Sequence, residues 1–289
     1  MTKINIIGAG KAGSSLAIIL DKNPDIKLGA ICDCDSAQLS ILYDKITADN
    51  FATSIDNLPS ADINLITTPD DLIISTCSEI VDSHDTSPAT IFAHCSGVLP
   101  SSALKEVIDD SCYVASMHPI KSFAEPELAA KSFAGTYCGF EGDADAVNQL
   151  KAIFSQVGAN CFDIDPDKKP LYHAAAVLSC NYLNTLMEVG MQTYEKAGVE
   201  REISSKIIET IAKDTLNNIF ASTPAQALTG PIARGDIATI SKHIDAFKNE
   251  NNELLLGVYK TLGKATVGLS EEQGSASADN LSKIQELLS

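Results

Sequence analysis

Four short segments of this chain carry residue types that could move a proton beside a bound small molecule. They are His94-Cys95-Ser96-Gly97, Ser116-Met117-His118-Pro119-Ile120-Lys121, Tyr172-His173 with Asn181 farther along, and Thr229-Gly230-Pro231 running to Arg234-Gly235-Asp236. An imidazole titrates near neutral pH, so His94, His118 and His173 are candidate proton donors or acceptors. Ser96 and Asn181 could hold a carbonyl oxygen by hydrogen bonds. Arg234 could clamp a carboxylate in bidentate fashion, with Thr229, Asp236 and Lys121 as further substrate-binding candidates. Each has a plainer alternative. His94 could stabilise a turn, His118-Pro119 could be structural, His173 could be a satisfied core histidine, and Arg234 could simply pair with Asp236.

A second constellation opens the chain. The run Ile4-Asn5-Ile6-Ile7 leads into Gly8-Ala9-Gly10-Lys11-Ala12-Gly13. A strand, a glycine turn and a helix in that order present free amides and a partial positive charge to phosphate. Gly8 allows the tight turn, Gly10 lets the backbone approach a pyrophosphate, and Gly13 lets the helix press on the strand. Asp33 follows the second apolar run, where a carboxylate can bind adenosine ribose hydroxyls. The segment Thr67-Thr68-Pro69 should pass near the same dinucleotide, with Asp70 or Asp71 capping the next helix. A 2′-phosphate would meet like charge at Asp33, and the only arginines are Arg201 and Arg234, both remote in sequence. This favours NAD(H) over NADP(H).

These residues need a scaffold, and the pattern supplies one. Short apolar runs at 3–8, 27–32, 63–67, 90–93, 112–116, 136–140 and 160–164 predict strands. Helical patterns at 11–21, 36–44, 70–81, 101–108 and 143–157 separate them. The alternation predicts an α/β fold: a doubly wound Rossmann domain over 1–164. From Asp165 only helical patterns remain, at 202–221, 236–249, 253–267 and 279–288, which predicts an all-α domain over 165–289. The run 171–189 is apolar on almost every side and predicts a helix buried all round, in a core or between subunits, hence a homodimer. The substrate pocket is expected between the two domains.

The 289 residues carry a net charge of −17, which argues against nucleic acid and anionic membrane surfaces. No stretch reaches the roughly 18 apolar residues of a membrane span. The first apolar run is the glycine-loop strand rather than a leader. The eight cysteines show no zinc-like spacing, and Cys32-Asp33-Cys34 sets two thiols too close for a zinc knuckle. No metal is expected, and the location expected is cytoplasmic, with reduced thiols.

The four segments, in this order, resemble a family of Rossmann-like oxidoreductases with a helical C-terminal domain. The resemblance spans essentially the whole chain. It is carried by His94-Cys-Ser-Gly, His118-Pro, Tyr172-His173-Ala-Ala-Ala with Asn181, and Thr229-Gly-Pro-x-x-Arg234-Gly-Asp236. The wider group is similar to pyrroline-carboxylate, hydroxyisobutyrate and ketopantoate enzymes, and the branch resembles alternative bacterial ketopantoate reductases of pantothenate synthesis. Ordinary ketopantoate reductases carry a lysine and two asparagines at spacings where this chain has His173, Val177 and Asn181. The resemblance implies a small 2-oxo acid substrate, and ordinary family members prefer NADPH, against the reading of Asp33. Reduction of a cyclic imine and a non-catalytic NADH sensor are the alternatives.

Overall fold

The computed structural model describes residues 1–84 and 86–289. Eight strands form one sheet: β1 (Thr2–Ile7), β2 (Ile26–Cys32), β3 (Ala48–Ala52), β4 (Ile63–Ile66), β5 (Ile91–His94), β6 (Tyr113–Pro119), β7 (Tyr137–Gly142) and β8 (Asn160–Asp163). Their order is β3-β2-β1-β4-β5-β6-β7-β8. Strands β1, β4 and β5 are buried from Ile4, Ile63 and Ile91 onward without polar-apolar alternation. Continuous apolar runs of this kind suit parallel strands covered on both faces. The covering helices are α1 (Lys11–Leu20), α2 (Ser36–Ser40), α3 (Ile73–Ser83), α4 (Pro126–Lys131) and α5 (Ala144–Gln156). One face buries Leu16, Leu20, Phe140 and Phe154; the other buries Ile73, Cys77, Ile80 and Phe92.

Strand order reverses between β1 and β4, the place where open α/β sheets bind ligands. The C-terminal ends of β1, β4 and β5 meet there, and they carry Gly8, Thr67 and the His94 turn. Pairing is parallel up to β6, and β7 then runs antiparallel to β6. This register sets Ser116 opposite Glu141 and His118 opposite Gly139. Residues two apart on a strand share a face, so Ser116 and His118 point the same way.

Three elements of the first unit differ from the sequence expectation, besides the run 171–189 described below. Strand β3 was not anticipated: Ala-Asp-Asn-Phe-Ala has no apolar period, and it survives as an edge strand paired only with β2. The stretch expected as a helix over 101–108 is a 3-10 turn, Ser101–Glu106. Helix α4 begins where Glu125 accepts the amides of Glu127 and Leu128, a cap hidden in a loop-like segment.

The chain divides into two compact units, Met1–Cys180 and Asn181–Ser289. The division falls at 180/181 rather than 164/165 because α6 (Lys169–Ala176) anchors polar side chains in the sheet, as described below. The second unit holds α7 (Tyr182–Lys196), α8 (Arg201–Ala221), α9 (Pro224–Ala227), α10 (Ile237–Asn249), α11 (Glu253–Gln273) and α12 (Ala278–Leu288). Its core joins Ile232, Ile240, Ile244, Val267, Leu281 and Ile284. Asn252 and Ser277 cap α11 and α12, and Arg201 ties Glu188 to Glu195.

The run 171–189 is not the single buried helix expected. Helix α6 passes after Ala176 into a π-helical turn, Val177–Asn181, which runs on into α7 at Tyr182. No residue of this run is buried, and Leu171 and Leu178 are 74% and 63% exposed. Ser179 donates to the Ala175 carbonyl at 2.9 Å, and such back-bonds bend helices. The apolar character is real, but this chain alone leaves it uncovered. Among the described residues, no helix is long and apolar enough to cross a membrane.

Candidate functional site

The glycine loop is held from three directions. Gly8 sits at φ +103°, and a Cβ there would lie 2.8 Å from the Thr67 carbonyl carbon and the Thr68 amide nitrogen. Only glycine tolerates both conditions. Thr67 Oγ1 donates to the Gly8 carbonyl at 2.6 Å, and Ser14 Oγ donates to the Ala9 carbonyl at 2.7 Å. A side chain on Gly13 would collide with the Gly8 carbonyl. Helix α1 has no side-chain cap at Gly10, and nothing lies within 4 Å of the space a Gly10 side chain would fill. Open space over uncapped helix amides fits a phosphate. The expected phosphate contacts, Gly10 to Gly13 with Lys11 and Ala12, form this first turn. Beside it, next to Pro69, Thr68 Oγ1 is buried without a partner among the described residues.

Asp33 plays a different part from the ribose contact expected. Its Oδ2 accepts the Ala9 amide at 2.6 Å and its Oδ1 accepts the Asp35 amide at 2.9 Å. The carboxylate braces the glycine loop from within, so it is no longer a clean reporter of cofactor type.

The second half of the site lies at the C-terminal ends of β5 and β6. His118 Nδ1 and the Tyr172 hydroxyl share a hydrogen bond at 2.9 Å. The His118 and His173 rings lie 5.5 Å apart, edge to face. Both converge on Gly97. A Cβ on Gly97 would come within 2.5 Å of His173 Nδ1 and 2.8 Å of His118 Nε2. Gly139 makes the matching allowance for Tyr172, whose hydroxyl would lie 2.9 Å from an added Cβ. His173 Nδ1 is buried and has no hydrogen-bonding partner among the described residues.

Beneath the pair lies a buried polar network. Lys169 Nζ donates to Ser116 Oγ at 2.5 Å and to Glu141 Oε1 at 2.9 Å. Glu141 also accepts from the Ser101 amide and hydroxyl, and Ser116 donates to the Ser96 carbonyl. Lys169 is fully buried.

Three expected site residues serve the scaffold instead. His94 is 0% exposed, and its Nδ1 accepts the Ser96 amide, so it cannot reach a ligand. The Ser96 hydroxyl donates to Asp70 at 2.8 Å and accepts the Val98 and Leu99 amides, which leaves nothing for a carbonyl. The Lys121 ammonium is tied to the Ser132 carbonyl and hydroxyl. In the second unit, Asp236, a candidate for substrate binding, caps α10 by accepting the Thr239 amide. Arg234 and Thr229 are exposed, and no ion pair joins Arg234 to Asp236 among the described residues. Asn181, also exposed, closes the π-turn.

Burial drives the electrostatics. It pushes the His94 pKa down to about 3, with the Lys169 charge adding to the effect and the Pro100 carbonyl and Asp70 opposing it. Burial likewise lowers His118 to about 4, helped by the charges of His173 and Lys169 and opposed by Asp70. Burial raises Tyr172 to about 12, so its hydroxyl stays protonated. In an unfolded chain both histidines would bind protons below pH about 6.5. Stability from their exclusion is therefore complete above that pH and is lost as pH falls. The slope is about 1.4 kcal/mol per histidine per pH unit between roughly pH 6 and 4. The urea midpoint should fall measurably from pH 7 to pH 5; an unchanged midpoint would mean that both rings take up protons inside the fold.

Lys169, Glu141, Tyr172, Gly97 and Gly139 were not assigned roles from sequence. The i, i+3, i+4 spacing of Lys169, Tyr172 and His173 was the available signal, since it puts all three on one helix face. Their partners are non-local and left no local mark. Among the described residues, no group of three His, Cys, Asp or Glu side chains could hold a metal.

Comparison with known proteins agrees with this fold. Residues 1–119 match the model of a Rossmann-like domain. This first part of the chain is a Rossmann-like domain. Behind it, residues 136–266 match a domain of unknown function, DUF2520. A Thermotoga maritima protein has a similar structure, with a TM-score of 0.72 and 23% identity over 93% of this chain and 99% of that one. A proposed NADP oxidoreductase from Bacteroides fragilis gives 0.73 and 19%, over 94% and 97%. The pyrroline carboxylate reductase of Plasmodium falciparum, solved with NADP bound, gives 0.59 and 15%, over 100% and 98%. At these identities the likeness is one of fold. No curated protein sequence matches the chain. The β6–β7 antiparallel pair and α6 extend past the Rossmann-like match, so the His118–Tyr172–His173 cluster joins residues from both matched segments.

Proposed function

We propose that the chain is a nicotinamide-dependent reductase of a small carbonyl or imine compound. The observation that carries this reading is the convergence of His118 and His173 on Gly97, in the same unit as the uncapped glycine loop. The dinucleotide supplies a hydride when bound. The protein's share is to grip phosphate at Gly10 to Gly13 and to protonate the atom that gains negative charge. His173 suits the role of proton donor, because its Nδ1 is packed against Gly97, which leaves Nε2 to meet a ligand. Tyr172 keeps its proton and anchors His118 beside it.

The narrower reading is reduction of a 2-oxo acid, with 2-dehydropantoate to pantoate the specific case and Arg234 as carboxylate ligand. Structures of similar fold favour a second reading, since pyrroline-carboxylate reductases from Plasmodium falciparum, Coxiella burnetii and Streptococcus pyogenes are among them. An imine needs a proton donor in the same place. For the cofactor, no arginine follows β2 to meet a 2′-phosphate, which favours NADH; the proposed NADP oxidoreductase of like fold points to NADPH. Purified protein is mixed with NADH or NADPH and a panel of 2-oxo acids and cyclic imines, and loss of reduced-nicotinamide absorbance is followed. Turnover of one class selects the reading. Cofactor binding without turnover of any panel member would leave a sensor.

We also propose a homodimer. Leu171, Leu178, Tyr182, Leu186 and Phe220 are exposed, Phe220 by 83%, and water-facing apolar surface on this scale calls for a cover. Light scattering at micromolar concentration should give twice the chain mass; a monomer would contradict the dimer.

A further inference from the structure

Lys169 is the one fully buried lysine among the described residues, and stability does not explain it. Replacing a buried ion pair by apolar groups of similar size is often neutral or stabilising. Its place in the fold suggests another reason. Lys169 sits over the cross-strand pair Ser116–Glu141, and Tyr172 sits over the next same-face pair, His118–Gly139. Tyr172 and His173 follow Lys169 by three and four positions on α6, so one anchor fixes the rotation of both. Helix α6 starts without a side-chain cap, so side chains set against the sheet hold its first turn. His118 faces Lys169, His173 and Tyr172 from α6 and Asp70 from the turn after β4.

We propose that Lys169 is the positioning residue of this site: clamped by Glu141 and Ser116, it seats α6 so that Tyr172 and His173 stand at His118 and Gly97. The proposal rests on the reading of the two histidines as the chemical centre. It does not require Lys169 to touch a substrate, and burial prevents that contact.

The test compares wild type with Lys169→Met/Glu141→Gln, which removes both charges and strands neither. Lys169→Met alone serves as a second variant, and leaves Glu141 unpaired. Dinucleotide affinity should be unchanged in the double variant, since the glycine loop is braced separately. The His118 ring-proton titration, followed by NMR, should rise by about one pH unit. Amides of α6 should exchange at least about tenfold faster. With an active substrate, kcat should fall with little change in KM, and the acid limb of the pH profile should move up. A His118 titration equal to wild type, or unchanged α6 exchange, would overturn the proposal. If wild type turns over no substrate, the reductase reading fails, while titration and exchange still decide the role of Lys169.

Discussion

His173→Ala is expected to lower turnover by about 10²- to 10⁴-fold, the usual worth of a positioned general acid. Dinucleotide affinity should hold, because every contact that shapes the glycine loop comes from β1, β2, β4 and α1. The fold should hold as well. His173 is only half-buried, and its buried Nδ1 makes no hydrogen bond that would be lost. The loss should appear in kcat rather than in KM, since the proton is given as charge develops in the transition state. Steady-state kinetics beside a dinucleotide titration separates the two quantities. Activity within about twofold of wild type would move the donor role to His118.

Gly97→Ala is expected to cost about 10²-fold in activity without touching any ionisable group. The added methyl would stand 2.5 Å from His173 Nδ1 and 2.8 Å from His118 Nε2, so both rings must retreat. A displacement near an ångström is enough for a loss of that order. The rings are side chains rather than backbone, so the stability penalty should stay near 1–3 kcal/mol. The variant should therefore remain folded and bind dinucleotide while losing turnover. Adding His173→Ala relieves half of the crowding and should recover stability but not activity. Full activity in Gly97→Ala would mean that neither ring works at this position.

The elements with strong local signals were legible in the sequence. The strand before Gly8, helix α1 and strands β2, β4 and β5 could be read because apolar runs and the glycine spacing are local properties. Strand β3 was not legible, since edge pairing with β2 rather than its own composition makes it a strand. The run 171–189 shows a related limit. Its composition demands burial, but composition does not say which chain provides it. Within the proposed site, residue type pointed to His118 and His173, which the fold brings together, but also nominated His94, Ser96 and Lys121. These three are polar because they tie turns and helix ends together, a need that leaves the same mark in sequence as ligand binding. Gly97, Gly139, Glu141 and Lys169 were missed because their significance lies in what β6, β7 and α6 bring against them.

The central claim is that the reactive ring of a bound dinucleotide lies beside His118 and His173. A crystal structure with reduced dinucleotide bound tests it most directly. The account predicts pyrophosphate on the amides of Gly10 to Gly13, and the nicotinamide within one hydrogen bond or one bridging water of the His173 imidazole. A nicotinamide lodged away from both imidazoles, with the phosphates still on the glycine loop, would contradict it.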